Sequence, residues 1–186
     1  MKHKNYTTAI FLAACVSATS LAALGQEPAP AREKNSCPMH KKHMAEARDR
    51  HMHELNERGN SAMGFDQAKT THHFRLLRDG GAIEVGANDP RDRASMDQIR
   101  QHLEQISGMF AAGDFSTPFA VHARTPDGVS DLERLKAAIT YRYEETAGGG
   151  RVRISSGDPK ALAAIHEFLR FQIEDHRTGD PLEVSK

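Results

Sequence analysis

Cys37-Pro38-Met39-His40-Lys41-Lys42-His43-Met44, followed by His51-Met52-His53, gathers thiol, thioether and imidazole into one short stretch of a 186-residue chain. Each of these groups offers a polarisable lone pair. Thiolate and thioether with imidazole suit Cu(I) first and zinc second, because a thioether is a poor zinc ligand. Hard ions want oxygen ligands, which this set lacks. No Cys-x-x-Cys-His occurs, which excludes covalent c-type haem.

The spacing places these groups together. Pro38 suits a first helical position, with Cys37 or Ser36 as cap, and Gly59-Asn60 supplies a stop. Between them lie good helix formers such as Ala45, Glu46, Ala47, Arg48, Glu54 and Leu55. The Cys/His/Met-rich segment 37–60 is thus predicted to be helical over 38–58. At ~100° per residue, Cys37, His40, His43, Met44 and His51 fall within about 60° of one line down that helix. The thiol at the helix start is biased toward the thiolate that binds metal. Candidate ligands are Cys37, Met39, His40, His43, Met44 and His51, with His53 auxiliary. Arg32, Lys34, Lys41, Lys42, Arg48, Arg50 and Arg58 oppose a cation. The alternative is a solvated, charged helix with incidental His and Met.

Cys37-Pro38-Met39-His40 resembles the Cys-Pro-Met-His element of short bacterial heavy-metal-binding modules, found on copper-efflux and related exported proteins. The resemblance implies metal contact by Cys37, Met39 and His40. Those modules continue with Pro and carry an aromatic before the Cys; this chain has Lys41 and Ser36 there.

The N-terminus bears on which compartment the thiol meets. Lys2, His3 and Lys4 precede an uncharged apolar or small stretch from Ala9 to Gly25. Ala23 and Gly25 then stand at the positions signal peptidase reads. Residues 1–25 are predicted to be a signal peptide, with export to the periplasm or beyond the cell. The stretch is short and weakly apolar for a membrane span, and nothing later approaches one. Leu12-Ala13-Ala14-Cys15 resembles the lipobox of bacterial lipoproteins, so an anchor at Cys15 is the alternative. The apolar run continues past that Cys, however. Ordinary cleavage leaves Cys37 as the one thiol, and a lone thiol in an oxidising compartment suggests a metal ligand, a reactive group or an intermolecular bond.

Of 25 basic residues, Lys2 and Lys4 fall in the predicted leader, leaving 23 against 25 acidic. A near-neutral chain carries no electrostatic footprint for nucleic acid. The mean hydropathy of −0.61 and the absence of Trp indicate a modest core.

After a linker at 26–36, the remainder (61–182) reads as α+β. Gly80–Pro90 is echoed at Gly149–Pro159, and Ile99, Leu103 and Gly113-Asp114 are echoed by Ile165, Leu169 and Gly179-Asp180. This suggests duplicated ββα units at about 65–115 and 139–180. In the first, strands at 71–78 and 82–87 flank Asp79-Gly80-Gly81. In the second, strands at 139–146 and 151–155 flank Ala147–Gly150. Met96, Ile99, Leu103, Ile106 and Phe110 form one helical stripe, opened by a Ser95/Gln98 capping box and closed by Gly113. Leu162, Ile165, Leu169 and Ile173 form the other, capped by Asp158 with Pro159 in its first turn and closed by Gly179. A Ser130/Glu133 box marks a short helix between the units. The expected architecture is a four-stranded antiparallel sheet with two long helices on one face, strand order open.

Within this domain only Lys69-Thr70-Thr71-His72-His73-Phe74 draws attention. Alternation puts His72 on the face of Phe74 and Leu76, where a hydrogen-bonded core histidine is expected. His122, His102 and His166 are within conceivable reach of it. No nucleophile elbow, His-Glu-x-x-His or phosphate loop occurs, so no catalytic residue is assigned. The sequence therefore points to an exported soft-metal binding protein that captures, buffers or delivers copper, with zinc second. The alternatives are an envelope interaction domain with a protein partner, or a metalloenzyme using His72 and His122.

Overall fold

The computed structural model describes residues 38–185. The predicted leader, the linker, Cys15 and Cys37 lie outside them. A long helix α1 (Pro38–Met63) leads into strands β1 (Thr70–Leu77) and β2 (Gly80–Ala87), then α2 (Arg93–Ala112). Two short helices, α3 (Ser116–His122) and α4 (Val129–Arg134), connect to β3 (Ile139–Thr146), β4 (Gly149–Ser156) and α5 (Pro159–His176).

The strands form one antiparallel sheet in the order β1-β2-β4-β3, which settles the order left open above. α5 packs on β1, β2 and β4, and α2 on β2, β3 and β4. Both lie on the face carrying Phe74, Ile83, Val85, Val152 and Ile154, all buried. The opposite face carries an ion-pair ladder running from Arg75 through Glu84 and Arg151 to Glu144 and Arg142. Alternation at period two separates the two faces.

Glycine placement explains how the helices seat. Gly80-Gly81 and Gly149-Gly150 were expected in the turns, yet they stand inside β2 and β4, and the turns are Arg78-Asp79 and Ala147-Gly148. A Cβ on Gly81 would lie 2.1 Å from Leu169 Cδ1, and one on Gly150 3.1 Å from Leu103 Cδ1. Each long helix sinks a leucine into the space that a side chain would occupy.

Several boundaries differ from the sequence expectations. α1 passes through Gly59, where a Cβ would come within 3.1 Å of Gln67, and stops at Gly64, whose φ is +75°. Close packing, not termination, is what Gly59 provides. α2 begins earlier than Ser95: Asp92 is the cap, accepting from Ser95 N–H at 3.1 Å and from its hydroxyl at 2.7 Å. α4 is entered through Gly128 without a side-chain cap, so Ser130 does not cap it. Arg177, at φ +53°, closes α5 ahead of Gly179. Asp158 caps α5 as expected, accepting from the N–H groups of Lys160 and Ala161. α3 is entered through Phe115 with no side-chain cap to mark its start in the sequence.

Candidate functional site

The soft-donor segment divides in two along α1. From Pro38 to Arg50 almost every residue is exposed, whereas from His51 onward the helix packs on the domain through Leu55 and Gly59. Met39 is 67% and Met44 48% exposed, high values for apolar side chains. His40 is exposed, and His43 stands 3.6 Å from the Glu46 carboxylate. The expected ligands Met39, His40, His43 and Met44 thus share a solvent-facing arm.

His51 belongs to a different arrangement. Its Nε2 meets Asp175 Oδ1 at 3.1 Å, and Asp175 Oδ2 meets His122 Nδ1 at 2.6 Å. Arg58 donates from Nε to the Val121 carbonyl at 2.7 Å. α1 is thereby fastened to α3 and α5 by an imidazole–carboxylate–imidazole bridge and one charge-assisted hydrogen bond.

Beneath that bridge lies a cavity of about 60 Å³. His72 from β1, His102 from α2, His122 from α3 and His176 from α5 all line it, with Gln172 and an apolar wall that includes Phe74, Ile106 and Phe110. His72 and His176 stack at 5.7 Å between ring centres, and His176 meets His122 edge-on at 5.0 Å. Phe65 touches both His72 and His102. His72 and His102 were weighed from sequence together with His122, and the fold brings all three to one cavity. His166 goes elsewhere, 2.9 Å from the carbonyls of Leu77 and Gly80 at the first hairpin turn. His73, on the outer face, pairs with Asp180.

Among the described residues the expected hydrogen bond of His72 is absent. Its Nε2 is buried without a partner, as is Nε2 of Gln172, a residue only 4% exposed. His122 has both nitrogens engaged, the second at 3.0 Å from Gln172 Oε1.

Burial keeps these imidazoles neutral. It pushes His72 and His102 down to about 4 and His176 to about 3, with neighbouring imidazoles adding to the effect at His72 and His176. For His122, burial lowers the basicity further than Asp175 raises it. Burial alone would raise Asp175, but the hydrogen bond from His122 and the surrounding imidazoles leave it below the ordinary carboxylate range.

Asp175, Gln172 and His176 were not singled out from sequence. The signal was present in the helical stripe. Counting from the leucines on the glycines, Gln172 and His176 stand on α5 where α2 has Ile106 and Phe110. Where α2 meets β3, Phe110 packs edge-on to Tyr141 at 5.7 Å, in the place corresponding to the His176–His72 stack.

Comparison with known protein families, curated proteins and solved structures yields no match. Among the described residues no helix is long and apolar enough to cross a membrane.

Proposed function

We propose that the chain is an exported soft-metal binding protein whose N-terminal arm takes up copper as Cu(I), with zinc the second choice. The observation that carries this reading is the exposure of Met39 and Met44 on the first turns of α1. A thioether in water contributes little to packing, and two of them beside His40, His43 and the adjoining Cys37 make a donor set for a soft cation. His51 is held by Asp175 and is best read as the anchor of the arm, not as one of its ligands.

The arm offers donors without enclosing them, which suits capture and hand-over more than permanent storage. Competition titration of the reduced protein against a chromogenic Cu(I) chelator tests this. One equivalent should depend on Cys37, and Cys37→Ser should weaken it at least ~10-fold, far more than His53→Ala. Equal Cu(I) affinity in the Cys37→Ser protein would end the proposal and favour an envelope interaction domain.

A further inference from the structure

The two segments treat their outer sheet edges differently. β1 and β3 are the edge strands. The 69-residue correspondence that sets Gly80 against Gly149 sets Phe74 against Tyr143 and Leu76 against Glu145. The C-terminal tail covers the β1 edge: Asp180 Oδ2 accepts from Phe74 N–H at 2.9 Å, and Ser185 N–H donates to the Leu76 carbonyl at 3.0 Å. Asp114 is the counterpart of Asp180, but it accepts instead from Ser116 N–H at 2.9 Å as the chain leaves for α3. Among the described residues no hydrogen bond reaches Tyr143 N–H or the Glu145 carbonyl from outside the sheet.

An edge with unpaired N–H and C=O groups is a template for another strand unless something blunts it. β3 is 8 residues long and keeps unbroken register with β4, without a bulge, a Pro or a Lys. Alternation turns the backbone groups of Tyr141, Tyr143 and Glu145 outward. Their side chains lie on the helix face, where Glu145 meets Arg100, and those of Arg142 and Glu144 lie on the outer face. The predicted linker at 26–36 is a poor occupant, because Pro28 and Pro30 lack the N–H that a ladder needs.

We propose that β3 is the docking edge for a second copy of this chain, paired antiparallel about a two-fold axis at Tyr143 to make one continuous sheet. Residues opposite each other in an antiparallel ladder turn their backbone groups the same way, so the axis falls on a residue, not between two. Charge selects which one. An axis at Tyr143 sets Arg142 opposite Glu144 of the second copy, and Glu144 opposite its Arg142. An axis at Arg142 or Glu144 sets like charges together, and one farther along shortens the ladder. Arg142 gains most, since across β4 it stands opposite Arg153 and its side chain is 71% exposed. The outer ladder from Arg75 to Arg142 then continues through both copies. The helices admit this approach. Strands lie ~4.8 Å apart and α2 spans β3 and β4, so the two α2 helices run about 10 Å apart, an ordinary spacing. The side of α2 next to the edge, marked by Arg100 on Glu145, continues through the small residues Ser107 and Ala111.

This interface is independent of the arm, and reduced, chelator-treated protein keeps Cys37 and metal out of the measurement. Sedimentation equilibrium should show reversible passage from one chain to two as concentration rises. Amide exchange at Tyr141, Tyr143 and Glu145 should slow in step, while Phe74 N–H stays protected throughout. Arg142→Glu and Glu144→Arg each set like charges across the axis, so each alone should weaken self-association at least tenfold. Mixed together they should pair with each other, because each supplies the sign the other lacks. Glu145→Pro removes an outward N–H without touching the β3–β4 ladder and should also stay a single chain. Each variant's far-UV circular dichroism should match the parent. A parent protein that remains one chain at every concentration overturns the proposal. So does a dimer whose β3 amides exchange freely, a dimer that all three substitutions leave intact, or a mixture of the two charge variants that stays monomeric. Loss of Cu(I) binding bears on the arm alone.

Discussion

Ile83 on β2 and Val152 on β4 are direct register partners, and they are also the residues that correspond between the two ββα segments, 69 positions apart. The pairs on either side mirror each other, Gly81 with Ile154 and Val85 with Gly150. The sheet therefore has an approximate two-fold centre at Ile83–Val152, with α5 of the second segment lying over β1 of the first and α2 over β3. That exchange brings His176 onto His72 and Phe110 onto Tyr141.

The leucines seated on the glycines should be equivalent in energy. Leu103 and Leu169 are 2% and 0% exposed, and each Leu→Ala should cost about 2–5 kcal/mol by urea denaturation. Gly81→Ala should also destabilise, by ~1–3 kcal/mol, because its methyl would meet Leu169 and the Arg75 carbonyl. A neutral Gly81→Ala would show that α5 does not sit where described.

The arm should be independent of folding. Met39→Ala and Met44→Ala remove exposed side chains, so the unfolding midpoint should move by no more than ~0.5 kcal/mol equivalent. A larger loss would mean that the arm packs on something.

Asp175 should govern the attachment of α1. Asp175→Ala takes the partner from His51 and leaves buried His122 Nδ1 unpaired, at a cost of about 1–3 kcal/mol. Amide exchange over residues 51–58 should accelerate more than exchange in α2. Equal acceleration in both would argue that the bridge supports the whole core instead.

Acid should destabilise the domain well before its carboxylates titrate. His72, His102 and His176 are held at about 4, 4 and 3, below the ordinary histidine value of 6.5. The unfolded chain thus takes up protons first as pH falls. The stability these neutral rings carry is fully present above pH ~6.5 and drains away toward pH ~4. Asp175, lowered in the fold, acts in the same direction at still lower pH. Urea midpoints at pH 7 and pH 5 check this, with the lower midpoint expected at pH 5. His176→Phe should flatten the difference.

The α+β class, the strand-strand-helix order of each segment and the apolar stripes of α2 and α5 were legible in sequence. They rest on period-two and period-3.6 patterning, which depends only on local geometry. The exposure of the arm is what the rival sequence reading, a solvated and charged helix, called for. The glycine pairs misled as turns because their role, admitting Leu169 and Leu103, exists only once helix meets sheet. The histidine cluster was half visible: His72, His102 and His122 could be named but not assembled. His176, Gln172 and Asp175 looked like ordinary residues near the end of a helix. Side chains from β1, α2, α3 and α5 are separated by up to about a hundred residues of chain. Only the crossed packing, each long helix over the other segment's first strand, brings them to one cavity. No local preference encodes a contact between residues so far apart, so tertiary packing alone decided that site.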